Sequence, residues 1–169
     1  MSDFAPLYDC LRHGRFDDFS LDLIIDPIKG PRREEELWDY KKVFIDRALD
    51  PSGGQSMASL IKDVVAFHNS YGGVLLSGID DSTREVCGDD VGLDGAGLTV
   101  EDLRARVTAA TGVDIALRYG RFRHAPSGRT VCALFIPQRA RFNPPVELKS
   151  DSKERKGGDK GDKRPIYVR

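Results

Sequence analysis

Apolar residues recur along this chain at two spacings, and each change of spacing marks an element. Met57, Leu60, Ile61, Val64, Val65 and His68 fall at helical intervals with Phe67 on their flank, which predicts an amphipathic helix. Asn69-Ser70-Tyr71-Gly72-Gly73 ends it, since glycine adopts the left-handed conformation at a helix terminus. The short apolar run 74–79 then reads as a buried strand, turned by Asp80-Asp81-Ser82. Thr99 is placed to cap a second helix with Leu103, Val107 and Ala110 inward and Gly112 past its end. Ile115, Leu117 and Tyr119 alternate as a half-buried strand, and after a Ser127-Gly128 turn residues 130–136 form its partner.

The two ends are less regular. A short helix is expected around Leu7 to Leu11, and Phe19, Leu21 and Leu23 alternate like a strand before Ile24-Ile25. Asp26-Pro27 and Gly30-Pro31 then interrupt any regular element, and residues 37–45 form a second strand-like segment rich in aromatic and β-branched side chains. After Pro144-Pro145 and a short segment at 146–149, residues 150–164 are polar and Lys/Asp/Gly-rich, which reads as a mobile charged loop. Residues 165–169 resemble a last strand, and a chain that stops inside a strand reads as the front domain of a longer protein. The elements add up to an α/β (α+β) fold: one compact domain with a mixed or largely antiparallel sheet packed with two main helices.

Charge changes this picture more than composition does. The net charge of −1 conceals a split. Residues 1–102 carry 10 Lys/Arg against 21 Asp/Glu, a net of −11, whereas residues 103–169 carry 16 against 6, a net of +10. A near-neutral total is therefore compatible with a polyanionic partner, because binding depends on where the positive charge lies. The split is equally compatible with two halves that neutralise each other in the fold. No apolar run approaches the roughly 20 residues a membrane helix needs, so no membrane partner is expected. Cys10, Cys87 and Cys132 are odd in number and far apart, which fits reduced thiols and a cytoplasmic location better than disulfides or zinc. No G-x-x-x-x-G-K-[ST] occurs, which excludes a P-loop ATPase.

Two segments carry a family likeness. Residues 34–41 read E-E-E-L-W-D-Y-K, and residues 66–80 read A-F-H-N-S-Y-G-G-V-L-L-S-G-I-D. Together, and in this order, they resemble the Schlafen-type AlbA domain: an acid, four residues, acid-aromatic-Lys, then a helix ending A-F-x-N-x-x-G-G and a strand ending G-aliphatic-D. Val86-Cys87-Gly88, Pro145-Val146 and Ile166-Tyr167-Val168-Arg169 match more loosely. The likeness covers residues 34–169 and leaves 1–33 as an N-terminal extension.

The resemblance implies a domain that docks DNA or RNA without a required cofactor, in bacteria often for a regulatory or defence protein. Related Schlafen proteins place two such modules side by side, which for this chain implies a homodimer. Some eukaryotic relatives cleave structured RNA with three carboxylates and a divalent metal. On that alternative the cluster here is Glu34, Asp39 and Asp80 around Mg²⁺ or Mn²⁺, with Lys41 positioning phosphate and Glu35 and Asp81 as alternates. A second alternative is a self-association module. The chain departs from the family pattern at Asp39, where Glu is usual, at His68, where a small residue is usual, and in the length of the 150–164 loop.

The residues themselves constrain these readings. Glu34 and Asp39 are five apart and share a face only if the chain bends before Leu37, whereas Asp39 and Lys41 share one on any strand. Glu34 to Glu36 also read as a solvated run, and Asp80-Asp81-Ser82 as a plain turn. Arg118, Arg121, Arg123, Arg139 and Arg141, interleaved with Phe122 and Phe142, are the candidate nucleic-acid contacts, because arginine grips phosphate with two donors and stacks on bases. They read equally as charged guards of strand edges. Asn69, Gly72 and Gly73 are expected to lock the helix-to-strand turn, with a backbone nest for phosphate as the alternative.

Overall fold

The computed structural model describes residues 5–32, 36–94 and 97–149. The loop expected at 150–164, the strand at 165–169, and Glu34 and Glu35 lie outside the described residues.

Among the described residues three α-helices and two small sheets follow the chain as α1 (Ala5–His13), β1 (Ile25–Asp26), β2 (Gly30–Pro31), β3 (Trp38–Lys41), α2 (Gly54–Asn69), β4 (Gly73–Ser77), α3 (Val100–Thr111), β5 (Arg118–His124) and β6 (Arg129–Ile136). The main sheet runs β3-β4-β6-β5. Its β3–β4 pair is parallel, with Asp39 opposite Leu75 and Lys41 opposite Ser77. The β4–β6 and β5–β6 pairs are antiparallel. The sheet is thus mixed, and β3 and β5 occupy its two ends.

Alternation along the central strands builds a core on each face. Leu75, Cys132, Leu134 and Ile136 point to one side and pack with Leu60, Val64 and Phe67 of α2 and Leu103 and Val107 of α3. Trp38, Tyr40, Val74, Leu76, Val131, Ala133 and Phe135 point to the other. There they meet Leu7 and Leu11 of α1 with Phe19, Leu21, Ile24 and Ile25, so the chain ahead of residue 34 supplies much of the second core.

The two main helices are capped by different means. At α3, Thr99 Oγ1 accepts from the Asp102 N–H at 3.1 Å while Asp102 Oδ2 accepts from the Thr99 N–H at 2.9 Å. At α2 the capping acid stands upstream: Asp50 accepts from the Ser56 N–H at 2.9 Å, and that bond is the main reason its carboxyl lies below the ordinary carboxylate value.

Three strand expectations shift. Residues Leu21–Leu23 form a 3₁₀ turn rather than a strand, with Ser20 Oγ accepting from the Asp22 N–H at 3.4 Å. The strand expected over 37–45 stops at Lys41 because the chain bends away, the carbonyls of Lys41 and Lys42 accepting from Ile79 and Gly78. Phe44 and Ile45 instead enter the core beside α2. The strand expected at 115–119 runs Arg118–His124, and Ile115 and Leu117 are buried ahead of it.

Candidate nucleic-acid interface

The acidic candidates separate into two groups. On β3, Asp39 and Lys41 share the face turned to α2. Lys41 Nζ lies 2.7 Å from Asp63 Oδ2 of α2 and 3.9 Å from Asp39 Oδ2, all three side chains being partly buried. Asp63 was not among the sequence candidates. The available signal was its position three residues after Leu60 and four before Phe67, an acid on the inward side of a helix, where a buried partner is needed. Asp80 pairs with Lys42 instead, its Oδ2 2.7 Å from Nζ. Asp80 Oδ1 accepts from the Ser82 N–H at 2.9 Å, the Ser82 hydroxyl at 2.6 Å and the Thr83 N–H at 3.1 Å. Lys42 first, then Ser82 and Thr83, hold its carboxyl far below the ordinary carboxylate value. Asp81 is exposed on the same turn. Among the described residues no group of three Asp, Glu, His or Cys side chains is placed to hold a metal ion. Both Asp80 oxygens are engaged and Asp39 lies 3.9 Å from Lys41, while Glu34 and Glu35, which complete the expected cluster, lie outside the described residues.

The five candidate arginines occupy several surfaces. Arg121 and Arg123 stand on one face of β5 and Arg118 on the other, by alternation. Arg121 reaches Asp94 at 3.5 Å and also donates to the Asp90 carbonyl. Arg118 lines a hollow that includes Asp17, and Arg123 one that includes Asp22. Arg139 and Arg141 line a third, a cleft of about 630 Å³ together with Tyr8, Arg12, Ser70, Gln138 and Ala140. Among the described residues no acid lines it, and Arg12, Arg139 and Arg141 make no ion pair.

Arg12 and Tyr8 reach this cleft because α1 buries Leu7 and Leu11 against the sheet. Tyr8 and Arg12, each one position further along, then share the adjoining flank. The opposite wall is stitched to the end of α2: the Arg139 N–H donates to the His68 carbonyl at 2.9 Å, and Gln138 Nε2 to the Ser70 carbonyl at 3.2 Å. His68 Nδ1 lies 2.6 Å from the Pro137 carbonyl. Burial first, and the Arg139 charge as a lesser cause, lower the His68 pKa below 6.5, which favours the neutral ring. Arg139 also donates to the Asn143 carbonyl.

Next to this junction, Asn69 makes a reciprocal pair with a residue distant in sequence. Its Nδ2 donates to the Val146 carbonyl at 2.9 Å, and its Oδ1 accepts from the Val146 N–H at 2.7 Å. Gly72 has φ +74°, and a Cβ there would lie 2.7 Å from the Ile136 carbonyl oxygen; a Cβ on Gly73 would lie 1.9 Å from the Phe67 ring. The Gly72 N–H is spent on the Phe67 carbonyl at 2.9 Å.

Comparison with known proteins bears on the region that holds most of these residues. The family model described as Schlafen, AlbA_2 matches residues 34–162. No curated protein matches the chain. Among solved structures, the crystal structure of the DIP2311 protein from Corynebacterium diphtheriae is similar at 21% sequence identity and a TM-score of 0.44. The likeness covers 70% of this chain and 23% of that one, so this chain spans less than a quarter of that protein.

Proposed function

The chain belongs to the Schlafen AlbA_2 family, and from that premise we propose that it docks nucleic acid, DNA or RNA, through the cleft of Arg12, Arg139 and Arg141. The carrying observation is that three guanidinium groups line one concavity with no acid among its described lining residues. By contrast, Arg104 is paired with Asp114 and Arg121 with Asp94. Like charges held together repel, and a phosphate backbone relieves that repulsion while releasing counterions. Docking for a regulatory or defence process is the role this activity fits, and among the described residues no helix is long and apolar enough to cross a membrane.

The test is affinity for DNA and RNA oligonucleotides across a salt series. Affinity is expected to fall steeply with salt. Arg12→Ala, Arg139→Ala and Arg141→Ala combined are expected to flatten the log–log slope by about 2–3, at roughly 0.7–0.9 for each phosphate no longer neutralised. Arg121→Ala, whose charge is already paired, is expected to change it little. An unchanged slope in the triple variant overturns the assignment. Chelator-sensitive cleavage of the same probes with Mg²⁺ or Mn²⁺ present would move the chain to the nuclease reading.

A further inference from the structure

Phe142 is 96% exposed, the most exposed of the large apolar side chains on the described surface. It sits in a turn closed by the Asn143 N–H donating to the Ala140 carbonyl at 2.9 Å. Arg141 precedes it, and Arg139 donates to the carbonyl of Asn143 just after it. The ring therefore stands one residue from an arginine of the cleft, on a turn that another cleft arginine braces. Pro144 and Pro145 come next and restrict the chain beyond. Across the cleft, Tyr8 carries an edge-on contact with Tyr71, ring centroids 6.3 Å apart, so aromatic surface lies on that wall as well.

Leaving a phenylalanine in water forgoes the gain of burying it, so a ring held at a turn tip beside arginines that make no ion pair among the described residues fits a partner with both flat apolar faces and negative charge. A nucleotide has both. Within a double helix the base faces are covered by their neighbours, whereas an unpaired base offers its face to an aromatic ring. The cleft volume lies within the ~300–1,000 Å³ of small-ligand sites, which suits a nucleotide rather than a duplex.

We infer that the cleft and the Phe142 turn together bind an unpaired nucleotide, the phosphates on Arg12, Arg139 and Arg141 and a base stacked on the Phe142 ring. This rests on the nucleic-acid reading above and adds its substrate class: single-stranded segments, loops or ends. The shared chemistry is the unpaired base with its phosphate, from RNA or DNA.

The experiment compares oligo-U, oligo-dT and a DNA duplex of equal length on the intact chain. The single strands are expected to bind more tightly than the duplex, and the tighter of oligo-U and oligo-dT identifies the source. Phe142→Ala is expected to weaken single-strand binding about tenfold and leave duplex binding unchanged, while Phe142→Tyr retains the single-strand affinity within about twofold. Because Trp38 is the single tryptophan and is buried, Phe142→Trp supplies an exposed reporter whose fluorescence is expected to quench on oligo-dT binding. Equal losses for single strand and duplex in Phe142→Ala, no loss for either, or tighter binding of duplex by the parent overturns the inference and leaves nucleic-acid docking intact. Absence of binding to all three probes overturns the docking reading itself.

Discussion

At Asn69 one side-chain amide satisfies both backbone polar groups of Val146, and both residues are buried. Asn69→Ala would strip an N–H and a carbonyl of this partner, each costing about 1–3 kcal/mol when buried and unsatisfied, so a loss of about 2–6 kcal/mol is expected by urea denaturation. Asn69→Asp keeps the shape but sets an oxygen against the Val146 carbonyl, and it is expected to be no better tolerated. That Asn69 matters was legible from its place before Gly72-Gly73. Its partner was not, because 77 residues separate them and nothing local to either announces the pair. Lys41 is similar: alternation placed it beside Asp39, but its shorter contact is with Asp63 on another element, 2.7 Å against 3.9 Å.

At the scale of elements, the end of α2 and the exit of β6 form one junction, held by His68, Ser70, Gln138 and Arg139. His68 in the fold binds a proton less readily than its ordinary 6.5, so the unfolded chain takes up protons first as pH falls. The stability from the neutral ring is fully present above about pH 6.5 and declines as pH drops below it. Urea midpoints measured from about pH 5 to 7.5 are expected to rise through this window, and His68→Gln to flatten the rise. The helices α2 and α3 were legible because each combines a 3.6-residue stripe with a clear end signal. The strands were less so. Apolar alternation at 19–23 and 115–117 marks buried positions, and a 3₁₀ turn or an irregular segment fills such positions as well as a strand does. Strand identity depends on a partner's hydrogen bonds, which a single segment does not encode.

For the whole molecule, the segment before residue 34 buries Leu7, Leu11, Phe19, Leu21, Ile24 and Ile25 on one face of the sheet. Leu11→Ala is expected to cost about 2–5 kcal/mol in denaturant unfolding. Removing residues 1–33 uncovers much of that face and, against a total stability of ~5–15 kcal/mol, is expected to leave no cooperative transition by circular dichroism. A truncated chain that melts as sharply as the parent would show the family-matched region to be self-sufficient. The sequence alone determined the mixed α/β class, the two main helices, the buried central strand and the family, because each rests on local periodicity, end signals or an ordered motif. Only the tertiary structure decided that α1 closes the second core, that Asp63 joins Lys41, and that Arg12 meets Arg139 and Arg141 in one cleft. Such meetings depend on how elements distant in sequence pack on shared apolar faces. Packing brings their polar flanks together at positions that no spacing along the chain records.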